Sequence, residues 1–126
     1  MRPWRPDVTH GPNPLPSPTM TRCRSPQPIP EEVRRAADLL ERRWQLSIIY
    51  AALSGALRFN EFAGAVQGIS PRMLSERLRE LEAAGLLRRA VLPTSPPTVE
   101  YRLTARGRRL GPLIEAMCVY AEGPTG

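Results

Sequence analysis

Residues 68–85 read GISPRMLSERLRELEAAG and predict one helix whose two ends are marked. Ser70 is a typical N-cap residue, because its hydroxyl can accept from a backbone N–H that the first turn leaves unpaired. Pro71 suits the first helical position, where its missing N–H is not needed. Gly85 stands where a helix commonly ends in a left-handed residue. Between these ends the apolar stripe consists of Leu74, Leu78 and Leu81.

The face opposite that stripe carries charged and small side chains. At 100° per residue it presents Arg72, Glu76, Arg79 and Ala83. A short helix with a narrow apolar back and an arginine-bearing front has the properties that reading a DNA major groove requires. An ordinary amphipathic surface helix has the same pattern. The neighbouring segments must therefore decide between a DNA-reading helix and an ordinary surface helix.

Two helices are predicted upstream, and both have apolar faces to bury. The first carries apolar residues at i, i+3, i+4 and i+7 from Val33 to Leu40. The second begins near Arg43 or Trp44 and is apolar on most sides, which indicates a buried helix. Gly55 is expected to end it.

A helix-turn-helix is predicted for the segment that follows. Phe59, Phe62 and Val66 have helical spacing, and Gly68 opens a tight turn into the helix that Ser70 caps. Two short helices joined by a glycine-bearing turn form this motif. Its second helix is the one that enters the major groove, so the helix after Ser70 is the predicted recognition helix.

A β-hairpin is predicted after Gly85, with a stiff tip of sequence PTSPP at residues 93–97. Its second strand is the clearer one, because Val99, Tyr101 and Leu103 alternate with polar residues. Pro112 should then kink a last helix near its start, after an N-cap at Thr104. A helix-turn-helix followed by a hairpin is a winged helix, so the predicted fold is mainly α with a small β-hairpin wing.

Composition narrows the range of partners. All 18 basic residues are arginine, and the net charge of +6 favours an anionic partner such as nucleic acid or an acidic membrane. No apolar run approaches the ~20 residues that span a bilayer, and the N-terminus lacks the apolar core of a signal peptide. We therefore expect a cytoplasmic protein without a membrane partner, which DNA binding would make nucleoid-associated.

Catalytic and metal chemistry find little support in the sequence. The single histidine, His10, and the two distant cysteines, Cys23 and Cys118, do not have zinc-site spacing. No catalytic triad, phosphate-binding loop or dinucleotide fingerprint is present. We expect no enzymatic activity, no metal and no cofactor, and free thiols rather than a disulfide.

The chain divides into a tail and one domain. Residues 1–30 hold nine of the fifteen prolines and few large apolar groups, so we expect them to be disordered. A second interpretation is that translation starts at Met20. Residues 31–122 form the predicted domain and 123–126 a short tail. From residue 31 onwards, 14 arginines stand against 11 acidic residues, a net charge of +3.

Several motifs together resemble the HxlR-type transcriptional regulators, which are MarR-like winged-helix proteins. They are RWQLSII (43–49), RFNEF (58–62), GISPRMLSERLRELE (68–82), GLLRR (85–89), PPTVEYRLT (96–104) and GRRL (107–110). The resemblance implies a homodimer, paired through its first and last helices, that binds a pseudo-palindromic operator and usually represses transcription. The interface residues it implies are Val33, Leu40, Leu113, Ile114, Met117 and Tyr120.

Three positions depart from that family's pattern. Pro30 stands where many members have a redox-sensing cysteine, Glu41 and Arg42 replace glycines that often precede the tryptophan, and Tyr120 replaces a common tryptophan. Cys118 is expected to be a small apolar residue at the dimer interface, with an intersubunit thiol switch as the sharper alternative.

The expected DNA contacts fall into two groups. An outward arginine on the recognition helix can donate two hydrogen bonds to a guanine edge or contact a phosphate. Glu76 can accept from cytosine, or it can pair with Arg72 or Arg79 along the helix. The recognition-helix group is Ser70, Arg72, Ser75, Glu76 and Arg79. The backbone and wing group is Arg58, Asn60, Arg88, Arg89, Thr94, Ser95 and Arg102.

The sequence therefore predicts a sequence-specific, double-stranded-DNA-binding regulator, a dimeric repressor that acts by operator occlusion. The sequence is also compatible with two other hypotheses: a winged-helix protein-interaction module and a weakly specific DNA-coating protein. A small-molecule effector is compatible with the sequence, but no polar cluster marks its pocket.

Overall fold

The structure is a computed structural model that describes residues 27–123. Predictions for residues 1–26 and 124–126 lie outside this part of the chain. The elements in chain order are α1 Glu31–Leu40, α2 Gln45–Leu53, α3 Phe59–Ala65, α4 Pro71–Ala83, β1 Leu87–Leu92, β2 Thr98–Leu103, α5 Ala105–Arg108 and α6 Gly111–Glu122. This is the predicted architecture of helices with one antiparallel hairpin.

Helix α2 lies at the centre and contacts α1, α3, α4, α6 and β2. Its Ile48 and Ile49 are fully buried, as expected of a helix that is apolar on most sides. The rest of the core comes from the elements around it: Ala51, Phe62, Val66, Leu74, Leu78, Leu81, Leu86, Leu87 and Ile114.

The buried face of α2 includes a polar side chain. Ser47 and Tyr50 are exposed, whereas the polar Gln45 is buried. The helix begins at Gln45, because Trp44 takes a left-handed φ of 79° that does not fit a helix. This backbone turn sets which residues of α2 face inward.

Helix α4 has the predicted ends. The Ser70 hydroxyl accepts from the Met73 N–H at 3.0 Å, and Pro71 occupies the first turn. Gly85 has a φ of 80°, which lets the Leu86 N–H donate to the Leu81 carbonyl at 3.0 Å. The capped helix buries Leu74, Leu78 and Leu81 completely.

The hairpin pairs Leu87 with Leu103 at its base and Leu92 with Thr98 towards its tip. The Tyr101 N–H donates to the Leu57 carbonyl at 2.7 Å, and the Tyr101 ring meets Phe62 edge-on with centroids 6.3 Å apart. These contacts fix the base of the wing to the helix-turn-helix.

The prediction of a single kinked helix after Thr104 is wrong, because two separate helices follow that residue. Thr104 does cap α5, accepting from the Gly107 N–H at 3.0 Å, but α5 ends at Arg108. A new helix, α6, begins at Gly111 with Pro112 in its first turn. Proline is tolerated there because first-turn N–H groups have no intrahelical partner.

Candidate nucleic-acid interface

One face of α4 is open to solvent over its whole length. Arg72, Ser75, Glu76 and Arg79 are all exposed there, and the capping residue Ser70 is exposed beside the first turn. The opposite face buries the three leucines. The predicted recognition-helix residues therefore share one accessible surface.

Two arginines on this surface are free to contact a ligand. Neither Arg72 nor Arg79 forms an ion pair or a side-chain hydrogen bond with another residue of the range 27–123. Glu76 pairs with neither of them. Its carboxylate lies closer to Arg77, with the Glu76 Oε1 3.5 Å from the Arg77 Nη1. The two guanidinium groups can thus present all their donors outward.

Arg77 has a different role from its neighbours. It is 7% exposed, and its Nη1 lies 3.2 and 3.1 Å from the two carboxylate oxygens of Glu80. Its Nε donates to the Arg43 carbonyl at 2.9 Å. This intramolecular pairing holds the back of α4 against the turn before α2.

The N-terminus of α3 supplies a second exposed group, Arg58 and Asn60. Glu61 organises this end by accepting from the Leu57 N–H at 2.7 Å and the Arg58 N–H at 3.0 Å. These two backbone hydrogen bonds, followed by the charge of Arg58, hold the pKa of Glu61 below its ordinary value of 4.5. The carboxylate fixes the backbone, and the Arg58 side chain remains exposed.

The arginines of the wing do not share one face. Adjacent residues on a strand point to opposite sides, so Arg88 and Arg89 face away from each other. Arg88 pairs across the hairpin with Arg102, whereas Arg89 pairs with Tyr101. Nη2 of Arg102 donates to Oε1 of the buried Glu100 at 2.6 Å, an ion pair that was not predicted from the sequence.

At the tip of the wing, Thr94 and Ser95 are exposed but differ in their bonding. The Thr94 hydroxyl donates to the Pro96 carbonyl at 2.6 Å and lies 2.7 Å from the Thr98 hydroxyl. It therefore helps to close the tip. The Ser95 hydroxyl has no such bond within residues 27–123 and is the more available of the two.

Exposed apolar side chains are found on α1, α2 and α6. They are Val33, Tyr50, Leu113, Met117 and Tyr120, of which Tyr120 is 87% exposed. Of the other predicted interface residues, Ile114 is buried in the core of its own chain and Leu40 is half-buried. The half-buried free thiol of Cys118 lines a groove of about 350 Å³ beside Met117 and Tyr50.

Across residues 27–123, none of the helices combines the length and the apolar character that a membrane span needs. The same residues contain no cluster of three or more histidine, cysteine or acidic side chains that would hold a metal ion.

Comparison with known proteins agrees with this geometry. Residues 39–125 match the family described as HxlR-like helix-turn-helix. The chain belongs to the HxlR-like family. The uncharacterised HTH-type transcriptional regulator YvaP of Bacillus subtilis (strain 168) is 40% identical to this HxlR-like chain over 87 residues, which cover 69% of the chain and 81% of YvaP.

Solved structures place the fold among MarR-like winged helices. The reduced form of the regulator YodB from B. subtilis superposes with a TM-score of 0.67 at 36% identity, covering 75% of this chain and 93% of YodB. A MarR-family regulator from Porphyromonas gingivalis W83 superposes with a TM-score of 0.68 at 30% identity, and the match covers 78% of this chain and 96% of that regulator. The HxlR-like chain is thus a helix-turn-helix transcriptional regulator and not an enzyme.

Proposed function

We propose that this HxlR-like regulator is a homodimeric, sequence-specific repressor that occludes a pseudo-palindromic operator. The observation that carries the proposal is the front of α4, where Arg72 and Arg79 are exposed and have no ion-pair partner within residues 27–123. The same helix is anchored from behind by Arg77. A rigid helix with free guanidinium groups suits base reading, because specificity requires donors held in a fixed position.

In the proposed complex α4 lies in the major groove. Arg72, near its N-terminus, and Arg79, two turns later, reach base edges or adjacent phosphates, with Ser75 and Glu76 between them. A bidentate arginine discriminates guanine from another base by about 1–3 kcal/mol. Ser70 at the N-cap lies where the helix N-terminus favours a phosphate.

The surrounding exposed groups position the duplex. Arg58 and Asn60 at the start of α3 approach one strand, and the wing approaches the other through Arg88 or Arg89 and Ser95. Arg102 and Thr94 join this group in a smaller role, since each already has an intramolecular partner. Contacts of this kind set affinity and register and carry no sequence information themselves.

Dimerisation is proposed through α1 and α6. Val33, Leu113, Met117 and Tyr120 expose apolar surface on these two helices, and such surface is typical of a protein–protein interface. A two-fold axis there would present two recognition helices to successive major grooves about 34 Å apart. The domain has a net charge of only +3, so doubling its arginines in a dimer matters for affinity.

The test is selection from a pool of random-sequence duplexes, followed by titration of the selected duplex and a scrambled duplex at near-physiological salt. We expect at least a hundredfold preference for the selected sequence, with an inverted repeat in it. Arg72→Ala should reduce binding to the selected duplex much more than binding to the scrambled one.

Arg108→Ala is the matched control, because it removes the same charge from an exposed residue of α5, at the end of the hairpin away from its tip. It should leave the preference unchanged. Failure to enrich any sequence would reject specific recognition. An equal loss on both duplexes would reject base reading by Arg72.

A further inference from the structure

A groove behind the recognition helix has features of a ligand site. It has a volume of about 440 Å³ and lies between α1, the start of α2 and the rear of α4. Its lining combines two basic, two acidic, one apolar and one amide side chain: Arg35, Arg42, Asp38, Glu80, Leu39 and Gln45. The charges of this lining balance, and the groove lies away from the exposed front of α4.

Gln45 is the unusual member of that lining. None of its surface is exposed, yet neither Nε2 nor Oε1 has a hydrogen-bond partner within residues 27–123. A buried amide without partners loses its bonds to water and gains none in return. Because Gln45 is fully buried and Arg42 is exposed, Gln45 forms the floor of the groove and Arg42 its rim.

The rim closes through one ion pair, in which Nη2 of Arg42 donates to Oε2 of Glu80 at 2.8 Å. The two side chains are 49% and 32% exposed. Ion pairs this accessible to water contribute little to stability, so the pair can open at small cost. Opening it would give a small molecule access to the Gln45 amide.

We infer that this groove binds a small, planar, uncharged molecule with a lactam or cyclic amide edge. Such an edge places an N–H next to a C=O and can form two antiparallel hydrogen bonds with the carboxamide of Gln45, which satisfies both of its unpartnered atoms. Leu39 offers an apolar contact to the ring, and the balanced charges of the lining favour a neutral ligand.

The position of the groove gives the ligand a route to the recognition helix. Glu80 belongs to α4 and bonds Arg77 as well as Arg42. A ligand that separates Arg42 from Glu80 therefore acts on the same carboxylate that helps to hold Arg77 and the back of α4.

The site can be tested by ¹H–¹⁵N NMR titration of the full chain with 2-pyridone, which has the lactam edge. N-methyl-2-pyridone is the matched probe, because methylation removes the N–H and leaves the ring and carbonyl. We expect 2-pyridone to shift the backbone amides of Leu39, Arg42 and Gln45 saturably, and the methylated probe to bind at least about tenfold more weakly.

Gln45→Met is the matched variant. Methionine is similar in size and removes two unpartnered polar atoms, so the variant should fold at least as stably as the parent chain. It should lose 2-pyridone binding. The inference is overturned if 2-pyridone produces no saturable shift at the groove, if both probes bind equally, or if Gln45→Met still binds.

Discussion

The Nε of Arg77 donates to the carbonyl oxygen of Arg43 at 2.9 Å, and this bond joins the recognition helix to the turn between α1 and α2. Glu80 extends the connection, because it accepts from Arg77 on its own helix and from Arg42 on the turn. Arg43 in turn lies 4.4 Å from the centre of the Trp44 ring. The orientation of α4 is therefore set by a polar network as well as by its leucines.

Replacement of Arg77 by methionine should destabilise the domain. The change removes the bond to the Arg43 carbonyl and one partner of Glu80, while Arg42 still neutralises that carboxylate. We expect the free energy of unfolding to fall by about 2 kcal/mol, the usual loss when a hydrogen bond to a charged group is removed. Urea denaturation measures it.

Arg79→Met provides the comparison, because it makes the same chemical change two residues further along the helix at an exposed position. Its stability should stay within about 0.5 kcal/mol of the parent chain. Equal stability of the two variants would contradict an anchoring role for Arg77.

Acid should weaken the start of α3 through Glu61. The pKa of Glu61 is lowered in the folded chain, because its carboxylate accepts from two backbone N–H groups. As the pH falls, the unfolded chain takes up the proton first, so the stability that Glu61 contributes is present above its ordinary pKa of 4.5 and is lost as the pH passes down through the folded value.

Glu61→Gln isolates this effect, since glutamine has no charge to titrate. The parent chain should be more stable than the variant near neutral pH, and the difference should shrink as the pH falls below 4.5. Urea denaturation across that interval measures it. A difference that stays constant with pH would show that the charge of Glu61 does not matter.

Local signals in the sequence were enough to predict the ends of α4 and the wing. Ser70 and Gly85 act on their immediate neighbours, and the alternation of Val99 and Tyr101 with polar residues is a local mark of a strand. Such features depend on a few adjacent residues, so a single sequence reveals them.

Contacts between distant residues could not be predicted in this way. Arg77 and Arg43 are 34 positions apart, and nothing in either residue specifies the other. The left-handed backbone of Trp44 and the burial of Gln45 next to it also depend on packing around the turn. The position of Gln45, a polar residue at the start of an apolar helix, was a weak indication of its burial.

The two kinds of wing arginine should differ in their effect on DNA binding. Arg89→Ala removes an exposed charge without an ion-pair partner within residues 27–123, so it should lower the slope of log affinity against log salt by about one. Arg102→Ala should change the slope less, because Arg102 is already paired with Glu100.

Arg102→Ala should instead lower stability, since it leaves the 7% exposed carboxylate of Glu100 without its partner. Salt titrations of DNA binding and urea denaturation separate the two effects. If Arg102→Ala reduced the salt slope as much as Arg89→Ala with no loss of stability, the Glu100 pair would have no influence on the wing.

A charge on the exposed face of α6 should separate the subunits of the proposed dimer. Met117 is 42% exposed beside Leu113, and Met117→Asp would place two carboxylates near the two-fold axis. Losing a central apolar contact costs about 2 kcal/mol or more, so the dimer dissociation constant should rise by at least about thirtyfold.

Val91→Asp is the matched control, because Val91 is an apolar residue of 54% exposure on the wing. Sedimentation velocity over a concentration series should find Met117→Asp monomeric where the parent chain and Val91→Asp are dimeric. A dimer that survives Met117→Asp unchanged would place the subunit interface elsewhere on the domain.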